Sequence, residues 1–90
     1  MKKLKGLAAE LAERAQLPAE ALGEAKLSLA GGRLLLIENH SGLREYSSDR
    51  ITVGCKRGRV VVSGTGLSLD GMNARELVLR GRIHTVEWEA

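Results

Sequence analysis

Ninety residues suffice for one domain with a small core, and a composition 43% hydrophobic and 28% charged is that of a globular chain, too apolar for a disordered one. With Tyr46 and Trp88 as the only aromatics and no Phe, the core must be built from Leu, Val, Ile and Ala. The formal net charge is +3; residues 1–24 carry four basic and four acidic side chains, so the excess lies entirely in residues 25–90, spread out rather than clustered.

Cys55 is the only cysteine, so no internal disulfide can form, and one thiol fits a reducing compartment. No apolar run approaches the roughly 20 residues that span a bilayer, and Leu7 to Leu11 is too interrupted by Glu10, Glu13 and Arg14 to be a secretory core. A soluble, cytoplasmic protein is the expectation. Arg33, Arg44, Arg57, Arg59, Arg75, Arg80 and Arg82 could grip phosphates, but nucleic-acid binding by a β surface also calls for stacking aromatics, of which the chain has only two. Arginines on exposed strands instead discourage edge-to-edge aggregation.

In chain order, Leu4, Leu7, Ala8, Leu11 and Ala15 share one helical face, which predicts an amphipathic helix over residues 4–15. Lys2, Lys3 and Lys5 stand at the end of that helix where its dipole favours anions, so they are candidate contacts for an acidic surface. Leu17-Pro18 ends the helix, and Pro18 to Leu22 can form one further short turn. Residues 1–24 are thus a helical segment and 25–90 a β domain.

From Ala25 the period switches to two. Leu27 and Leu29 alternate with polar residues, and Gly31-Gly32 predicts a hairpin turn. Arg33 to Ile37 is nearly all apolar and reads as a strand buried on both faces. Ile37-Glu38-Asn39-His40-Ser41-Gly42 follows as a polar turn, and Leu43 to Ser47 as a strand. Ile51, Val53 and Cys55 alternate; Lys56-Arg57-Gly58 turns the chain; Val60 to Val62 is β-branched. Gly64-Thr65-Gly66 and Asp70-Gly71 are predicted turns on either side of Leu67 and Leu69. Leu77 and Leu79 alternate, Gly81 breaks or bulges the run, and Ile83 to Trp88 is the last strand. Strands every 8–12 residues predict a small antiparallel β-sandwich-like domain with an N-terminal helix. A short β-solenoid or roll is the alternative.

No constellation for chemistry emerges. His40, His84 and Cys55 have no zinc spacing, and Cys55 lies in the apolar alternation as a small core residue. The glycines form no phosphate-binding loop. Neither cofactor nor metal is expected. Glu38, Asn39 and His40 have two readings: turn chemistry, since Asn tolerates left-handed backbone and Gly42 supplies positive φ, or a partner-binding surface.

The stretch Ile37 to Gly42 resembles the IENHxG-type signature of the YabP/YqfC family of sporulation proteins. Leu17-Pro18, Glu45-Tyr46-Ser47 with Arg50-Ile51, Lys56-Arg57-Gly58, Val62-Ser63-Gly64 with Leu67, and Glu76 to Ile83 with Val86 and Trp88 resemble the family in order and spacing. Trp88 replaces the Phe expected there, and Cys55 lies at a variable position. The leucine-proline step and the closing strands look more like the YqfC branch. The resemblance implies a non-enzymatic protein with no catalytic residues, made in the mother cell of a sporulating bacterium. It would act as a protein-binding adaptor or scaffold with a membrane-protein partner, and homo-oligomers are compatible with its open strand edges. No small-molecule substrate is implied. A peripheral module for anionic lipid, using Lys2, Lys3, Lys5 and the arginines, is the alternative.

Overall fold

The computed structural model describes residues 23–90. The expected helix over 4–15, the short turn over 18–22 and the lysines at positions 2, 3 and 5 lie outside them. The described residues form six strands: β1 (Lys26–Ala30), β2 (Leu34–Glu38), β3 (His40–Tyr46), β4 (Arg50–Cys55), β5 (Gly58–Met72) and β6 (Glu76–Glu89). All adjacent pairs are antiparallel, in one sheet ordered β1-β2-β6-β5-β4-β3. The mainly-β expectation is met. A solenoid is not, because each strand reverses on its neighbour rather than stacking in parallel coils.

The sheet is rolled, and its connectivity requires this. β2 is second in the sheet and β3 is sixth, so a flat sheet would hold them four spacings, roughly 19 Å, apart. A single residue, Asn39, separates them in the chain and spans at most ~7 Å between its neighbours. The sheet must therefore curl until one layer, β1, β2 and the first half of β6, faces the other, β3 and β4. β5 and β6, 15 and 14 residues long, run through both layers. They are why two sandwich-like layers remain one sheet.

The core lies on the concave side. Leu35, Ile37, Leu77 and Leu79 from one layer and Ile51, Val53, Val60 and Val62 from the other belong to a single cluster and are essentially excluded from solvent. In β2 and β6 alternation explains the selection, since the inward residues are apolar and their neighbours are more exposed. In β4 and β5 residues 51–55 and 60–62 are buried throughout, Thr52 and Val61 included. Leu35 and Ile37 are buried while Leu34 and Leu36 are half-buried, so the expectation of a strand buried on both faces is corrected. Leu34 and Leu36 face the outer side of the sheet, where no second layer covers them fully.

Two expected turns are also corrected. Gly64-Thr65-Gly66 and Asp70-Gly71 lie within β5, and Gly81 lies within β6. The β5–β6 ladder shifts register at Ser63/Gly64, Thr65/Ser68 and Leu69/Gly71, which are bulges that bend the ladder without reversing it. Gly81 has φ 141°, and a Cβ there would lie 2.7 Å from the Gly66 carbonyl oxygen. Only a residue without a side chain allows the two strands to cross so closely where the sheet folds over. The reversal between β5 and β6 occurs instead at Asn73, whose Oδ1 accepts the N–H groups of Arg75 and Glu76 at 2.8 and 2.7 Å.

Candidate functional site

The hexapeptide Ile37 to Gly42 is the corner where the chain passes from one layer to the other. It does not join neighbouring strands, since β2 pairs with β1 and β6, and β3 with β4. The expected polar turn is thus a corner between layers rather than a link between paired strands.

Each polar residue of the corner has a definite task. Asn39 has φ 64°, a left-handed conformation that Asn accepts better than most residues. Its N–H donates to the Arg75 carbonyl at 2.7 Å, and its Nδ2 donates to the Glu24 carbonyl at 3.0 Å. Its Oδ1 accepts from the Arg75 guanidinium at 3.4 Å. The corner is thereby tied both to the chain entering β1 and to the β5–β6 turn. In His40, Nδ1 accepts the Gly42 N–H at 3.0 Å, so Nε2 carries the ring proton and donates to the Asn73 carbonyl at 2.8 Å. The imidazole thus bridges its own turn to the turn after β5.

Glu38 is different. It ends β2 directly opposite Glu76 of β6, and Lys26 of β1 faces it from the other side. Residues 37 and 77 point into the core, so the adjacent carboxylates at 38 and 76 point out. Glu38, Asn39, Asn73, Arg75 and Glu76 line a cleft of about 330 Å³ beside the corner. It presents two opposed carboxylates and one guanidinium, a surface suited to charged and hydrogen-bonding groups.

Of the residues singled out from sequence, the fold brings Glu38, Asn39 and His40 together. Asn73, Arg75 and Glu76 were not anticipated. Asn73 carries a local signal, an Asn three residues before Glu76 at a strand start. The opposition of Glu38 and Glu76 depends on pairing across 38 residues of chain and has none.

Cys55 and His40 are cross-strand partners, so a thiol–imidazole pair requires consideration. Both imidazole nitrogens are already engaged. Cys55 is 8% exposed, and burial pushes its thiol above its ordinary value. A thiol held protonated beside an occupied imidazole is not an activated nucleophile. Among the described residues no group of three or more His, Cys, Asp or Glu side chains could hold a metal ion, and no helix is long and apolar enough to cross a membrane.

Comparison with known proteins decides the family. The YabP family model matches residues 21–90, which contain all six strands and the whole corner. The chain belongs to the YabP family. This YabP-family domain is also 27% identical over 63 residues, 70% of the chain and 68% of the relative, to "Uncharacterized protein YqfC" of Bacillus subtilis (strain 168). The family is sporulation-associated, as the resemblance of the hexapeptide and the following strands implied. No solved structure matches the chain significantly.

Proposed function

We propose that this YabP-family domain is a non-enzymatic adaptor or scaffold of sporulation, acting in the mother cell and holding a membrane-protein partner through the cleft beside its corner. The observation that carries this reading is the opposition of Glu38 and Glu76. Like charges directly across two strands destabilise a sheet, and Lys26 opposite Glu38 offsets only one of the two carboxylates, which leaves the pair suited to a cationic group from a partner. Two carboxylates with Arg75 beside them complement a partner segment bearing a basic group and an acceptor.

Co-purification with the full chain from sporulating cells tests the reading. Recovery of a membrane protein in fixed proportion supports it, and recovery of the chain alone contradicts it. Flotation with anionic vesicles tests the lipid alternative: salt-sensitive binding without any protein partner would favour that module. The ion pairs Arg57–Glu24, Arg59–Glu89 and Arg80–Asp70, at 3.4, 2.8 and 3.2 Å, speak for the adaptor, because they hold three of the arginines against carboxylates of the same chain.

A further inference from the structure

The two outer strands of the sheet are built differently. β3 is guarded: its ladder shifts register at His40/Gly42 and Leu43/Glu45, and it carries Arg44 and Glu45, the latter ion-paired to Arg50 at 3.2 Å. Bulges and charges of this kind are how natural sheets prevent a further strand from adding. β1 has no bulge and a single charge. It pairs with β2 in unbroken register over all five residues, and its one charged side chain, Lys26, stands at its end.

β1 also leaves apolar rows unfinished. Leu27 lies opposite Ile37, which lies opposite Leu77; Leu29 lies opposite Leu35, which lies opposite Leu79. These rows are fully buried at β2 and β6, yet Leu27 is 41% and Leu29 54% exposed. The concave apolar face thus runs out to an edge whose backbone has no strand partner among the described residues.

We propose that a second copy of this chain completes that edge, with two β1 strands pairing antiparallel across a twofold axis at Ser28. The segment Lys-Leu-Ser-Leu-Ala is self-complementary about that residue. Ser28 meets Ser28, Leu27 of each copy faces Leu29 of the other, and Lys26 faces Ala30. Both leucine rows continue across the junction. The two Lys26 residues fall at opposite ends of the ladder, roughly 14 Å apart, beyond the ~8–10 Å over which exposed charges interact at ordinary ionic strength. A shift by one residue would turn the leucines to opposite faces, so the pattern selects this register. The other edge cannot do the same, because its bulges and paired charges interrupt the ladder. This pairing is independent of the corner cleft and stands or falls separately from any partner held there.

The test is the mass of the full chain in solution, by light scattering after size exclusion, with a cross-link to fix the register. The wild-type chain is expected at twice its 9.7 kDa mass. Leu27→Lys/Leu29→Lys, which alters only exposed side chains, is expected to halve that mass while preserving a cooperative melt. In a Cys55→Ala background, Ser28→Cys is expected to form an intermolecular disulfide on mild oxidation, and Lys26→Cys is not. A single-chain mass for the wild type overturns the proposal. So does a double mass that survives both lysines, or a cross-link at position 26 in place of 28. If the double-lysine variant fails to fold, the position of the cross-link decides alone.

Discussion

At Asn39 the chain must turn left-handed and leave one layer for the other within a single residue. Asn39→Ala removes the bond from Nδ2 to the Glu24 carbonyl and places a Cβ-bearing residue without a compensating amide at φ 64°. The expected loss is about 2 kcal/mol, roughly half from the hydrogen bond and half from the backbone. Asn39→Gly keeps the backbone accessible and should cost less. Urea unfolding of the two variants checks the order, and equal losses would show that the conformation is not what Asn39 supplies. Cys55 provides a pH test. Burial raises its folded-state value above the ordinary 9.0, so above that pH the unfolded chain ionises its thiol first. Stability from this source is complete below pH 9 and declines as pH rises toward the folded value. Unfolding free energies between pH 7 and 10 should show this decline, and Cys55→Ala should flatten it, although at the cost of packing. Glu76→Gln relieves the repulsion of Glu38 and should stabilise the domain by about 0.2–1 kcal/mol.

At the scale of elements, the local patterns and the glycines carried different amounts of information. The alternation of Leu27/Leu29, Ile51/Val53/Cys55 and Leu77/Leu79 was legible because a half-buried strand imposes period two, and the structure puts all three runs on strands. Glycine was ambiguous. Gly31-Gly32 does close a hairpin, with φ 58° and 65°. Gly64, Gly66, Gly71 and Gly81 instead lie inside two long strands, because glycine serves a bulge or a close crossing as readily as a turn. What distinguishes the cases is whether a neighbouring backbone approaches, and that is set by distant residues. Gly81→Ala tests the crossing: a Cβ directed at the Gly66 carbonyl from φ 141° should cost at least about 2 kcal/mol and weaken β5–β6 pairing. A substitution without effect on the melting temperature would mean that the fold-over does not need glycine there.

For the whole molecule, the roll follows from connectivity, and connectivity was not legible from local pattern. A polar hexapeptide between two strand-like runs reads as a hairpin until the pairing shows its flanking strands four places apart in the sheet. The same non-local pairing sets Glu38 against Glu76 and brings Asn73 and Arg75 to the corner, so three of the five cleft residues were not anticipated from the sequence. The family was more legible than the fold, because the order of short motifs survives without knowledge of how they pair. In the rolled sheet the corner has a division of labour: Asn39 and His40 hold the layers together, while Glu38 and Glu76 face outward. Partner capture and thermal melting, measured together on the wild type, Asn39→Ala and Glu38→Gln/Glu76→Gln, test that division. The double glutamine variant should melt at or above the wild-type temperature and lose the partner recovered from sporulating cells, whereas Asn39→Ala should melt lower. Full partner recovery by the double glutamine variant would contradict the division of labour and the cleft's role.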